Sequence, residues 1–220
     1  MKILCIAYRD WAKEIYRMLM DDFNEHSFTF INSKEGYSSK LVKETTPDLI
    51  LWYGWSWFIP DETLKNYPSI MLHPSPLPKY RGGSPIQNQI INGEETSAVT
   101  LFRVNSLMDE GEIIRQKPYS LRGDLKDIFD RIIKTGYELS CEMIQDLPHI
   151  ESRSQEGKST YFKRRKPEES EITIEEISSN TAEHIHNKIR CLQDPYPNAF
   201  LKCKNGEKLY IIKSKYEKHR

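Results

Sequence analysis

The sequence predicts an α/β fold: a mostly parallel, twisted sheet with helices on both faces, followed by a small α+β extension. Three observations carry this expectation. Strand-like and helix-like runs alternate through the first half of the chain. Two further strand-like runs then come in succession without a helix. After Pro148 the composition turns charged and nearly free of aliphatic residues. Alternation implies parallel pairing, because parallel crossovers must pass over the sheet.

Residues 2–7 read as a buried strand, and residues 10–22 as a helix with Trp11, Ile15, Met18 and Leu19 on one face. Residues 27–31 form a short strand. A helix is expected over 36–44, stopped before Pro47. Residues 48–53 are a continuous apolar strand ended by Gly54, and residues 69–73 are the next strand, stopped by Pro74. Residues 97–104 and 112–120 suit antiparallel strands. The strongest helix signal spans 124–147: Asp124 is a capping residue, and Leu125, Ile128, Phe129, Ile132, Ile133, Leu139, Met143 and Ile144 recur at helical spacing. Gly136 interrupts it at a cost of about 1 kcal/mol against alanine. Residues 151–170 read as a linker wrapped over the surface. A modest helix over 179–192 and a hairpin, 198–204 and 208–213 around Asn205-Gly206, complete the chain before a basic tail. The expected division is a core domain over 1–150 and an extension over 151–220.

Composition excludes several classes. The chain has 220 residues, with 32 basic and 32 acidic side chains and zero net charge. Proteins that live on nucleic acid usually carry a basic excess, so bulk nucleic-acid binding is not expected. No apolar run approaches the roughly 20 residues that span a bilayer, so no membrane is expected. The first apolar stretch ends at Tyr8-Arg9-Asp10 and reads as a strand rather than an export signal. Four cysteines, Cys5, Cys141, Cys191 and Cys203, form no C-x-x-C pair. A reduced cytoplasmic protein without a metal site is the expectation.

One stretch carries chemistry: Leu72-His73-Pro74-Ser75-Pro76-Leu77-Pro78-Lys79-Tyr80-Arg81-Gly82-Gly83-Ser84-Pro85. It leaves the end of a parallel strand, where open α/β sheets bind ligands. Its prolines stiffen the loop, and its glycines let the backbone approach a neighbour. Ser84 and Pro85 suit the cap and first position of a helix. A second stretch, Met108-Asp109-Glu110-Gly111, puts an acid in a tight turn between two strands. Taken alone Asp109 suits a turn; paired with His73 it could orient or charge an imidazole.

These residues resemble the folate-dependent formyltransferase family, whose pattern is Asn-x-His, Ser, Leu-Pro, Arg-Gly and, further on, Asp-x-Gly. His73, Ser75, Leu77-Pro78, Arg81-Gly82 and Asp109-x-Gly111 match it, with His73 and Asp109 36 positions apart. The resemblance implies a Rossmann-like formyltransferase fold and N10-formyltetrahydrofolate as co-substrate, with no metal. It implies that His73 stabilises a developing oxyanion and that Asp109 assists proton removal. It places the pterin against Trp55, Ser56, Trp57, Phe58 and Ile59, with Val104, Leu107 and Met108 on the other side and Arg81 and Gly82 nearby.

Met71 departs from the pattern, standing where the family has its asparagine. A thioether donates no hydrogen bond, and losing one oxyanion donor typically lowers rate about 10²–10³-fold. Three readings are open: Ser75, Asn88 or Gln89 substitutes as donor, turnover is slow, or the site binds without reacting.

Among the family's branches, the sugar N-formyltransferases resemble this chain most, through 79–88, 161–168 and 193–200. The implied substrate is an amino-deoxy sugar on a nucleoside diphosphate, dTDP the expected nucleotide, used for surface polysaccharide such as lipopolysaccharide. Arg9, Ser75, Lys79 and Tyr80 are the expected contacts to it. A homodimer through the C-terminal part is implied by the resemblance alone. The alternatives are a methionyl-tRNA formyltransferase-like enzyme and a non-catalytic homologue that binds folate or nucleotide sugar.

Overall fold

A computed structural model describes residues 1–217; the last three residues of the basic tail lie outside the described residues. Six strands make the main sheet: β1 (Lys2–Ile6), β2 (Ser27–Ile31), β3 (Leu49–Tyr53), β4 (Ser69–His73), β6 (Thr96–Arg103) and β7 (Ile113–Ser120). A two-residue strand, β5 (Arg81–Gly82), lies apart from it. The order across the main sheet is β2-β1-β3-β4-β6-β7. β2, β1, β3 and β4 pair in parallel. β6 runs antiparallel to β4, and β7 antiparallel to β6, as the run of two strands without a helix predicted.

Strand alternation divides the side chains between two faces. Ile3, Cys5, Ala7, Leu49, Leu51, Tyr53, Ile70 and Leu72 point into the larger core, under α1 (Asp10–Asp22) and α5 (Leu125–Gln145). Leu4, Ile6, Ile50 and Trp52 point into the smaller core, with Val42 of α2 (Ser39–Thr45) and with Leu64 of α3 (Asp61–Asn66) beside them. Tyr16 ties α1 to the sheet: its buried hydroxyl donates to the Leu51 carbonyl at 2.7 Å and accepts the Tyr53 amide at 2.8 Å.

Several local expectations need correction. The α1 core face is Ala12, Ile15, Tyr16 and Leu19, with Trp11 packed against the same core; Met18 stays partly exposed. α2 starts only at Ser39, since the Ser38 hydroxyl accepts the Leu41 amide and fixes the start. α3 was not anticipated. Ser84 precedes α4 (Pro85–Ile91), but in a left-handed conformation (φ 52°) and without capping it; its hydroxyl accepts the Arg165 amide instead. Gly136 is buried where α5 meets α1 and β4: a Cβ there would lie 2.7 Å from Leu72 Cδ1 and 2.8 Å from Ile15 Cδ1. Its lack of a side chain lets the layers close.

The largest correction concerns 151–170. The segment does not simply wrap the surface. Arg153 bridges to Ile113, and β8 (Tyr161–Phe162) pairs in parallel with β5, inside the loop after His73. We call 153–166 the strap. A 3₁₀ turn (Pro167–Ser170) comes next, then α6 (Ile174–Ser179), α7 (Ala182–Cys191) and the hairpin β9 (Ala199–Lys202) and β10 (Lys208–Ile211). The helix expected over 179–192 is α7, which starts at Ala182 because Thr181 caps it by accepting the His184 amide; α6 before it was not anticipated. The buried Lys188 ammonium bonds both Glu176 carboxylate oxygens and locks α6 to α7, while α7 packs on α4. Among the described residues no helix is long and apolar enough to cross a membrane.

Candidate active site

The strand order reverses direction between β1 and β3, the point at which open α/β sheets bind ligands. A cavity of about 680 Å³ opens there, within the roughly 300–1,000 Å³ typical of small-molecule sites. Arg9 after β1, Gly54 and Trp55 after β3, and His73 ending β4 all line it.

His73 is 6% exposed. Its Nε2 lies 2.8 Å from the Tyr80 carbonyl oxygen. A carbonyl only accepts, so Nε2 carries the proton and donates it there. That leaves Nδ1, 3.7 Å from Asp109 Oδ2, as the nitrogen available to a reactant. Asp109 occupies a left-handed turn position (φ 55°), and its Oδ2 accepts the Gly82 amide at 2.7 Å. Two residues on, Gly111 passes against β6 so closely that a Cβ would lie 1.6 Å from the Arg103 carbonyl oxygen. Only glycine closes this turn.

Met71 shares a sheet face with His73, two residues away, and also lines the cavity. It packs against Leu77, Phe102 and Ile113 on one side and the tryptophan cluster on the other. None of the substitute donors expected from sequence is free to serve the cavity. Ser75 is fully buried and donates to the Lys79 carbonyl. Asn88 donates to Gly83, and Gln89 to Pro74 and Pro85 while accepting Ser97. Gln87, in the first turn of α4, does line the cavity. Trp55 lines it too, but its Nε1 is buried away from the cavity without a hydrogen-bond partner.

The residues expected at a pterin, Trp55, Ser56, Trp57, Phe58, Ile59, Gly82, Val104, Leu107 and Met108, all line this cavity. Phe58, Leu107 and Met108 are large apolar side chains left exposed at 77%, 58% and 61%. Arg81 does not line it: its guanidinium is held by Glu110 at 3.0 Å and by Gln155 at 2.7 Å. Of the expected substrate contacts, only Arg9 reaches the wall. Ser75 lies behind it; Lys79 is outside it; Tyr80 stacks on Phe162 at 5.0 Å and donates its hydroxyl to Glu94. Burial raises the Tyr80 hydroxyl pKa above its ordinary value.

Sequence reasoning drew a resemblance from 161–168 but placed no residue of the strap at the site. Lys163, Arg164, Arg165 and Lys166 line the cavity beside Arg9, and Arg165 Nε is buried without a hydrogen-bond partner. The Gly83 amide donates to the Phe162 carbonyl, and a Cβ on Gly83 would lie 2.4 Å from Arg164 Cα. The signal was present in the run of four cations, which composition alone reads as solvated. Among the described residues no group of three or more His, Cys, Asp or Glu side chains could hold a metal ion.

An open sheet with a buried His–Asp pair at a strand end and a large mixed cavity defines an α/β ligand-binding domain. The formyl transferase model matches residues 17–139, and the model of the formyl transferase C-terminal domain matches 166–220. The chain belongs to the formyl transferase family. A methionyl-tRNA formyltransferase of Ehrlichia ruminantium is 32% identical over 180 residues, 80% of this chain and 56% of that protein. The chain therefore spans about half the length of the curated relatives it matches. Among solved structures, a methionyl-tRNA formyltransferase from Clostridium thermocellum superposes with a TM-score of 0.81 at 31% identity, covering 96% of this chain and 97% of that one. A sugar N-formyltransferase from Shewanella superposes with a TM-score of 0.80 at 20% identity, covering 100% and 99%. That last likeness shows the fold.

Proposed function

We propose that this chain moves the formyl group of N10-formyltetrahydrofolate to the amine of a nucleotide-linked amino-deoxy sugar. The observation that carries the formyl transfer is the buried His73–Asp109 pair, its Nδ1 side open to the cavity. The exposed apolar group of Phe58, Leu107 and Met108 suits the flat pterin and its ring neighbour.

The unprotonated amine attacks the formyl carbon. The carbonyl electrons move onto oxygen, the amine proton passes to His73 Nδ1, and the imidazolium so formed is held by Asp109. When the carbonyl re-forms, the bond from carbon to N10 breaks, and N10 takes up the proton that His73 holds, which returns the imidazole to its neutral form. The chain contributes alignment of two reactants and charge stabilisation.

The strap supports a phosphorylated acceptor. Arg9 and residues 163–166 present five cations along the cavity lining, and a diphosphate such as that of dTDP would pair with them. A cytoplasmic homodimer serving surface polysaccharide synthesis, lipopolysaccharide included, belongs to the same proposal. A second reading, methionyl-tRNA as acceptor, is favoured by 31% identity to the Clostridium thermocellum protein along nearly the full length of both chains. The same cations would then meet RNA phosphates. The test is incubation with N10-formyltetrahydrofolate and either a panel of nucleotide amino sugars or methionyl-tRNA, followed by mass spectrometry, with His73→Ala beside it. A sugar product that vanishes in the variant supports the first reading. Formyl-methionyl-tRNA alone supports the second. Folate binding with no product from any amine would leave a binding homologue.

A further inference from the structure

We propose that Gln155 is the positioning residue of this site, a single carboxamide that sets Asp109 against His73; the inference rests on the formyl-transfer reading above. Gln155 lies on the strap, far in sequence from both motif segments. Its Oε1 accepts Arg81 Nε at 3.2 Å and Nη2 at 2.7 Å. Its Nε2 donates to the backbone carbonyls of Asp109 and Gly111, both at 2.8 Å. Two lone pairs and two N–H groups are its whole capacity, and all four are used.

The consequence is geometric. The loop after His73 and the turn of Asp109 belong to different parts of the sheet. Gln155 joins them through Arg81 on one side and through the Asp109 and Gly111 carbonyls on the other. Arg81 closes the ring by pairing with Glu110 at 3.0 Å. Within that ring the Asp109 side chain takes the Gly82 amide and faces His73. Asp109 holds its left-handed conformation without a glycine's freedom, and such a conformation persists when surrounding contacts over-determine it. The carboxamide supplies those contacts. Gln155 itself does not line the cavity, so it acts through Asp109 rather than on a reactant.

Gln155→Met keeps the length of the side chain and removes all four hydrogen bonds. Misplacement by about 1 Å can lower rate about 10²-fold, and that is the fall in kcat expected, with KM for N10-formyltetrahydrofolate changed less than about threefold. Combined with Asp109→Asn, the Met substitution should add nothing further, because both act through one group. Additive losses would overturn the proposal. A second readout needs no turnover. Amide exchange at Gly82 and over 109–112 should quicken by at least about tenfold in Gln155→Met while β1 and β3 stay protected. Unchanged exchange at Gly82 would sink the idea. If Gln155→Met does not fold, Gln155→Glu serves: it keeps the acceptors for Arg81 but loses both donors, so exchange should quicken over 109–112 and not at the Arg81 amide, which donates to Thr160. If the wild type formylates no amine, the functional reading fails while exchange still decides the role of Gln155.

Discussion

Met71 and Phe102 face each other across the β4–β6 ladder, register partners whose side chains both form cavity wall. An amide at this position would share the sheet face of His73, two residues away, and could reach the oxygen of a bound formyl group. Met71→Asn is therefore expected to raise kcat for formyl transfer by about tenfold or more, within the range attributed to one oxyanion donor. It should also lower stability by about 1–3 kcal/mol, because an amide replaces a thioether among apolar neighbours. Unchanged turnover in a folded variant would point to another cavity-lining donor such as Gln87.

His73→Ala and Asp109→Asn test the acid–base pair. General acid–base groups contribute about 10²–10⁴-fold, and His73→Ala should lose turnover on that scale. It should still bind tetrahydrofolate, since the aromatic loop is untouched. Parallel loss of folate binding, read by fluorescence quenching of the tryptophans, would assign His73 to binding instead.

Gly83→Ala tests the strap. The new Cβ would meet Arg164 backbone at 2.4 Å, so the strap must move away from the loop after His73. KM for the phosphorylated acceptor should rise while the folate dissociation constant holds. Raised ionic strength should weaken acceptor binding in the wild type by screening the same cations.

Gly136→Ala inverts the usual helix rule. Alanine favours a helix over glycine by about 1 kcal/mol, but overpacking against Leu72 and Ile15 costs about 1–3 kcal/mol. The expected net is a fall in Tm of up to roughly 8 °C, read by calorimetry. A rise in Tm would mean that the α1–α5 interface has slack.

The four thiols should differ in reactivity, because their burial differs. Burial pushes Cys191 up to about 12 and Cys5 higher still, and burial also raises Cys141. A raised thiol pKa keeps the unreactive protonated form through pH 8. Titration with a thiol reagent at that pH should therefore show fast reaction at the exposed Cys203 and slow reaction at Cys141. Cys5 and Cys191 should react only after denaturation.

Much of the site was legible because its signals are local. The apolar run 69–73 stopped by Pro74 places His73 at a strand end, and Asp109 falls in a tight turn between two strands. The strap was not legible, for a physical reason. Its order comes from hydrogen bonds to distant backbone, such as Gln155 to Asp109, and from β5–β8 pairing. Neither leaves an apolar periodicity in 151–170. Ser84 failed similarly: as a cap it is a sound local choice, but Arg165, 81 residues away, takes its hydroxyl. Lys79 and Tyr80 were expected to meet substrate because they lie in the motif, yet the chain turns there and Tyr80 points back onto Phe162.

The strap also decides where this chain can be cut or grafted. A junction at residue 150 looks natural from composition, and it would sever the segment that brings four cations to the cavity and Gln155 to the Asp109 turn. A chimera that kept the core through residue 166 and exchanged only the helices and hairpin beyond it would keep those cations and Gln155 in place. Acceptor preference in such hybrids should then travel with the donor of 153–166, and not with the donor of the hairpin.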